Sequence, residues 1–494
     1  MNPAISDSTP ANQSPSFHSL VSHQYFHIIF IALIAITLIF TKLGGNGLAN
    51  YDDCCYAQKA KEILQTGNWM TMHYNHQPAF ENPPFYMWLA ATSYKVFGVS
   101  EYAAKFPSAF MGVATILLIY FFARILFEPW VCFVSSLVLS TTFIFIRYAR
   151  HAMLDVTLSF FVCLALFALV LALKKNDKYF LLWGLSIAIC ILTKSVLGFS
   201  PLVISVAYML LTKRWRTLFT VYFMFGCLLI VLVGFSWYVH QYLKFGNEFL
   251  RVHFGWLIFQ RGFQAGPEPW YEHLSYAEDL LKYYWPWLPV LIIGVVKFIK
   301  MSFQKNEHAA LLLLWVAIIF GTMSMMTTRV LWYIMPIFPA CAMIVGNVLR
   351  GFLNEQGRLI FQKISIGIGI LAFIILVATP VQVEAEREKD ARIVAPYVKH
   401  FAKNGAKITA FKYDYYGLNN ALLFYSDYAA SPIFHTFDEV SKAFEDSSLM
   451  LCIVSSSEFD SIAATVRGIH IIRKTEELAL ISNKELESSQ IEPW

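Results

Sequence analysis

Apolar and polar positions alternate along the chain in long blocks. Stretches rich in Leu, Ile, Phe, Val and Ala occur at about 25–41, 104–125, 130–147, 156–173, 179–193, 198–212, 217–237, 284–299, 309–326, 330–349 and 364–382. Each approaches the roughly 20 residues a helix needs to cross a bilayer, which predicts a polytopic α-helical membrane protein of about eleven crossings, up to thirteen. Met1 to Gln24 is polar and reads as a flexible cytoplasmic tail. The first apolar block has neither a basic leader nor a small-residue cleavage site, so it reads as a retained helix and not a signal peptide.

Two long polar segments interrupt the blocks, within outer loops at 43–103 and 238–283. The first, Asn50 to Trp88, holds too many aromatic residues for a solvated tether. From Asp53 to Gln65 it predicts a short amphipathic helix on the bilayer surface, with Tyr56, Ala60, Ile63 and Leu64 on one face and Lys59, Lys61 and Glu62 on others. Gly67 ends it. Asp52 then stands at the helix N-terminus, and the following turn brings Glu81 back toward it. From residue 383 to 494 the pattern changes to helix-like stretches (384–403, 437–444) alternating with strand-like runs (408–411, 449–455, 469–472). This predicts a small α/β domain, either a lid that positions an acceptor or a structural module, without a phosphate loop or a GxGxxG turn.

Composition agrees with the membrane reading: 57% of the residues are hydrophobic, 14% are charged and the net charge is +5. So small a charge gives no reason to expect nucleic acid, but its placement is informative. Lys174, Lys175 and Lys178; Lys213, Arg214 and Arg216; Lys297, Lys300 and Lys305; and Arg350, Arg358 and Lys363 all fall on one side if the chain crosses eleven times from a cytoplasmic N-terminus. Both outer loops and the C-terminal domain then face away from the cytoplasm. The eight cysteines form no CxxC pair and read as buried thiols.

Ionisable residues at block ends are candidates for function because burying them is costly. Asp155 follows Arg147, Arg150 and His151, and reads either as a site carboxylate or as half of a structural ion pair. Lys194 breaks an apolar run and reads either as a site cation or as a snorkelling side chain. Arg251, His253 and Arg261 place positive charge in the second loop, where Trp237, Trp256, Trp270 and Tyr271 suit interfacial anchoring or sugar stacking. Arg329 and Tyr333 lie four residues apart, before Pro336 and Pro339, where they could hold an anionic headgroup.

Taken together, the runs DDCCYAQKAKEILQTGNW, FENPPFYMWL, FGVSEYAAKFPSA, AMLDVTLSFF, LTKSVLG, WYV followed by FGNEFL, and RVLWYIMPIFPA form a pattern over residues 40 to 345. It resembles the bacterial aminoarabinose transferase of lipid A and the protein O-mannosyltransferases. The resemblance implies the C-type glycosyltransferase fold in the cytoplasmic (inner) membrane, with a periplasmic active site that takes a sugar from a polyprenyl phosphate. It implies a first acidic residue, Asp52, that activates the acceptor or orients the leaving phosphate, and a second, Asp155. Glu81 takes the place of the acid in the family's FEKP motif, Arg261 is implied as the donor-phosphate arginine, and Tyr333 is a further phosphate contact. Asn82 replaces the motif lysine, so Arg329, Lys194 and Arg150 become the candidate substitutes. Leu257 and Ile258 stand where metal-binding residues are expected, which weakens the case for a divalent metal shared with Glu81. Cys55 replaces an arginine common in relatives, and Asp53 a glutamate.

The expected reaction is direct displacement at the anomeric carbon, with cations stabilising the departing phosphate and a carboxylate taking the acceptor's proton. The acceptor stays open between lipid A, another glycolipid or glycan, and a protein hydroxyl, and the protein is expected to act as a monomer. A transporter would carry its charges near the midplane on repeated broken helices, and a noncatalytic relative would not need these acids and cations at one level. Both are weaker alternatives.

Overall fold

The structure is a computed structural model that describes residues 24–49, 51–260, 262, 272, 274–379, 387–413 and 415–486. Among the described residues, each apolar stretch falls mainly on helices. Six helices among the described residues are long and apolar enough to span a bilayer: Glu101–Leu126, Leu154–Lys174, Val221–Phe245, Glu307–Ser324, Leu331–Phe352 and Glu355–Ala378. Pro129–Ser140 and Phe143–Ala149 join as a seventh candidate bent by 64°, and three shorter apolar helices, Gln24–Phe40, Tyr179–Thr193 and Leu197–Leu211, pack among them. At the bend, Thr141 and Thr142 donate their hydroxyl protons back to the carbonyls of Leu137 and Val138. Such back-bonding competes with the helical ladder and favours bending.

The starts of the long helices are written in the local sequence. Ser100, Asn306 and Asn354 each accept a hydrogen bond from the third residue of the helix they open, satisfying a backbone N–H that the helix itself cannot. The helices pack through one large apolar core that includes Trp183, Trp315, Phe122 and Phe133. One contact requires glycine on both sides, because a Cβ on Gly184 would come within 2.2 Å of the Gly226 carbonyl oxygen and one on Gly226 within 2.5 Å of that of Phe180. Small residues are what let membrane helices approach this closely. Gly184→Ala is therefore expected to cost about 1–3 kcal/mol by overpacking, read as a lower thermal midpoint of the detergent-solubilised protein.

The bundle has two distinct ends. The Leu154–Lys174 helix carries Asp155 at one end and Lys174 at the other, and Tyr179–Thr193 returns to Lys194. At the Lys174 end, Arg214 pairs with Glu307 (2.9 Å), Lys174 reaches His308 (2.8 Å), and Arg350 and Arg358 both pair with Glu128. The basic clusters thus gather opposite Asp155 and Lys194.

Residues 387–486 fold around a five-stranded sheet in the order Ile433–Phe434, Lys407–Phe411, Met450–Ser455, Leu478–Ser482, His470–Lys474. The first two pairings are parallel and the last two antiparallel. The helix Tyr415–Ser426 docks on Asp52–Thr66, and this changes the picture of a helix lying on the membrane surface. Lys61 donates to the Phe424 carbonyl (2.7 Å) and pairs with Asp427 (2.7 Å), while Gln65 reaches Asp427 (3.1 Å). Lys59, Lys61 and Glu62 are buried. The charged face is covered by protein, and each charge has a partner there.

Candidate active site

The helix Asp52–Thr66 begins at Tyr51, whose φ of 66° breaks the chain direction, and ends at Gly67 in the left-handed region, φ 69°. Asp52 is its first residue and lines a cavity of about 340 Å³. The same cavity is lined by Tyr56, Glu81, Asn82, Lys194, Ser195 and Tyr333. Four of the expected site residues, Asp52, Glu81, Lys194 and Tyr333, therefore meet in one space, supplied by segments far apart in sequence.

Lys194 follows the last residue of its helix, and its Nζ lies 2.5 Å from Asp155 Oδ1 and 3.7 Å from the centroid of the Tyr333 ring. The Asp155 side chain is 1% exposed and that of Lys194 is 20% exposed. The cation thus faces the cavity with a buried carboxylate behind it and an aromatic ring beneath it. Asp155 does not line the cavity; it acts on Lys194. A carboxylate without a cation at this depth would be costly, so the pair holds the lysine in place.

Glu81 is held differently. Its Oε2 lies 2.9 Å from Lys59 Nζ, which also donates to Asn82 Oδ1 at 3.3 Å. The nearby Lys59 charge holds the Glu81 carboxyl below its usual range, outweighing its burial. Glu81 is therefore ionised at neutral pH and engaged by an ammonium. This arrangement does not suit a divalent metal, whose charge would oppose that of Lys59. Among the described residues no three His, Cys, Asp or Glu side chains come together to ligate one.

Other expected site residues sit elsewhere. Arg150 is buried, and its Nη1 donates to the carbonyls of Leu38 (3.0 Å), Ile39 (2.8 Å) and Thr41 (3.0 Å). It caps the C-terminus of the Gln24–Phe40 helix, where carbonyls have no helical partner, and does not line the cavity. Arg329 donates from Nε to the Ser324 carbonyl at 3.2 Å; its neighbours Thr328 and Val330 line the cavity. Arg261 lies outside the described residues, although Leu257, Ile258 and Gly262, on either side of it, line the cavity. Asp53 is buried, accepting from Ala49 N (3.2 Å) with His151 Nδ1 at 3.2 Å. Burial would raise its pKa, but His151 and Lys105 outweigh that and hold it low.

Lys59 is expected only as a residue off the apolar face of a surface helix, and His253 as a positive charge; the structure differs on both. Lys59 is the cation bound to Glu81. His253 is fully buried, and burial lowers its pKa despite the Phe80 carbonyl and the nearby Glu81, so it carries no charge at neutral pH. No local pattern marked either residue, because both depend on contacts with distant segments.

Residues 81–240 match the family model described as dolichyl-phosphate-mannose-protein mannosyltransferase. A relative from Aquifex aeolicus, itself described as an uncharacterized protein, is 31% identical over 331 residues, 66% of this chain and 64% of its own length. The undecaprenyl phosphate-alpha-4-amino-4-deoxy-L-arabinose arabinosyl transferase 2 of Pseudomonas fluorescens is 29% identical over 344 residues, 64% of this chain and 58% of its own. This chain thus spans about six tenths of the length of these relatives. Among solved structures, ArnT from Cupriavidus metallidurans bound to undecaprenyl phosphate superposes with a TM-score of 0.76 at 17% identity, covering 94% of this chain and 99% of that one. The Archaeoglobus fulgidus oligosaccharyltransferase gives 0.58 at 12% identity, covering 90% and 70%. The fold is that of the C-type membrane glycosyltransferases, and the sequence resembles the ArnT-like and mannosyltransferase-like members.

Proposed function

We propose, from a chain with the C-type glycosyltransferase fold, that this protein moves a sugar from a polyprenyl-phosphate donor to an acceptor at the outer face of a bacterial cytoplasmic membrane. The observation that carries this reading is that Asp52, Glu81, Lys194 and Tyr333 line one cavity at a single end of the bundle. The relatives' names and the undecaprenyl phosphate in the Cupriavidus structure support the donor class.

The chemistry follows from the residues. Lys194, held by Asp155 and seated on Tyr333, offers a positive charge to the donor phosphate, and Arg261 is the proposed second cation, able to hold phosphate through two parallel hydrogen bonds. The acceptor oxygen attacks the anomeric carbon, the bond from that carbon to the phosphate oxygen breaks, and the electron pair leaves on the phosphate. Asp52 takes the acceptor's proton. Glu81, fixed as an anion by Lys59, holds the 79–84 turn against the Asp52 helix. The acceptor is a glycolipid such as lipid A, a glycan or a protein hydroxyl. Mass spectrometry of lipid A and of envelope glycoproteins, from cells with and without this protein, tests the reading. Loss of one glycoform is expected, and identical profiles would contradict it.

The gathered basic residues support a topology with the cavity outside and the Lys174 end in the cytoplasm. Counting the six long helices, the bent pair, the three shorter helices and Leu288–Phe303 as spans gives the proposed eleven crossings. The 383–494 domain then sits outside, as a cover on the Asp52 helix. Cysteines introduced at the exposed Thr66 and Ser447 should react with an impermeant maleimide in spheroplasts, while Lys178→Cys should not. The reverse pattern would overturn this orientation.

A further inference from the structure

Ser195 stands beside Lys194 on the cavity wall, yet its surroundings are not those of a phosphate contact. Its Oγ lies 3.0 Å from His253 Nε2 and 3.1 Å from the Tyr238 hydroxyl. The other ring nitrogen, His253 Nδ1, is 2.6 Å from the Phe80 carbonyl oxygen. A carbonyl can only accept, so Nδ1 carries the proton, and in a neutral ring Nε2 can only accept. The ring is enclosed by Trp237, Tyr238, Phe249 and Phe254, with centroids 5.1–5.6 Å away. Such a dry enclosure favours the uncharged form.

The proton bookkeeping then has one satisfactory solution. The Tyr238 hydroxyl is 3.0 Å from the Ile191 carbonyl and can donate there or to Ser195. Ser195 must donate inward to His253 Nε2, since turning its proton toward the cavity would leave a buried ring nitrogen unsatisfied, a substantial cost. What the hydroxyl then shows the cavity is a lone pair. Beside the Lys194 ammonium, which attracts oxyanions, Ser195 presents an acceptor that gives them no hydrogen bond.

Resting on the donor class proposed above, we infer that Ser195 is a specificity residue for the transferred sugar, accepting a hydrogen bond from one of its O–H or N–H groups and contributing no attraction to the phosphate. Phe80 and His253 are the positioning residues that fix this polarity. Lys194 and Ser195, adjacent in sequence, thus divide the donor between them, one reading the phosphate and the other the sugar.

The test uses full-length protein in detergent and measures affinity for undecaprenyl phosphate and for undecaprenyl phosphates carrying an aminopentose, a pentose or a hexose. Ser195→Ala should weaken the glycosylated lipid that wild type binds most tightly by about five- to tenfold, the worth of one hydrogen bond. It should change the affinity for bare undecaprenyl phosphate by less than about twofold on the same hydrogen-bond logic. Retained binding of the bare lipid also shows that the variant is folded, and Ser195→Cys, with a weaker acceptor, decides if Ser195→Ala is not. Equal weakening of both lipids, or none of either, would overturn the assignment to Ser195 while leaving the donor class intact. Failure of wild type to bind any lipid of the panel would overturn the donor class itself, and this inference with it.

Discussion

Asp52→Asn is expected to lower sugar transfer by about 100-fold or more, the usual worth of a positioned general base, while leaving the fold and its thermal midpoint close to wild type. The substitution keeps size and shape and removes only the charge. Asp52 faces the cavity from the first position of its helix, where the backbone N–H groups favour an anion. Asn cannot take the acceptor's proton, so the loss should fall on turnover more than on donor affinity. Asp53→Asn should show the opposite profile. That carboxylate is buried against Ala49 N and His151, and replacing it should cost about 1–3 kcal/mol of stability as a disrupted buried hydrogen-bond pair. The pH dependence carries the matching sign: because the folded-state pKa of Asp53 is lowered, its stabilisation is present above the ordinary carboxylate range and is lost as the pH falls through the folded value. Initial rates and thermal unfolding of the two variants separate these roles, and transfer by Asp52→Asn within threefold of wild type would end the case for Asp52 as the base.

Lys194→Gln should have an effect on transfer at least as large, about 100- to 1,000-fold, as for removing one donor from a preorganised anion site. By itself the variant is ambiguous. It strips the cation from Asp155, and an unpaired buried carboxylate costs about 3–5 kcal/mol. The double variant Lys194→Gln, Asp155→Asn removes both charges and should recover most of that stability without recovering transfer. A double-mutant cycle over rate and thermal midpoint resolves the two effects. If the double variant regained transfer, Lys194 would be a structural partner of Asp155 and not a phosphate contact.

How much of this was legible in the sequence differs between the bundle and the site. The apolar blocks coincide with helices because a bilayer demands that every backbone group be bonded within its own segment, so local pattern suffices. Lys194 could be picked out because it is an ionisable residue at the end of an apolar block, Tyr333 because it follows Arg329 by four residues ahead of two prolines, and Asp52 and Glu81 because they flank the short helix and turn of the first polar loop. Arg150 looked equally eligible and is a helix cap; the carbonyls it serves lie more than a hundred residues earlier, and no spacing rule connects them. Lys59 was hidden by a different cause. Helical periodicity places it only off the apolar face of a surface helix, but the second half of the helix is covered by residues 424–427 and Lys59 itself by the Glu81 turn. The same covering explains how a lysine can serve near position 82, where the chain carries only an asparagine.

The central claim, that the Asp52 cavity transfers a sugar from a polyprenyl phosphate, is tested most directly by incubating purified full-length protein with a sugar-loaded undecaprenyl phosphate and a bacterial envelope extract. Mass spectrometry then follows free undecaprenyl phosphate. Its release should require the extract, accompany the appearance of the sugar on one extract component, and fall by about 100-fold or more with Asp52→Asn. Release that proceeds equally well with the Asp52→Asn protein, or no release with any sugar-loaded donor, would contradict it.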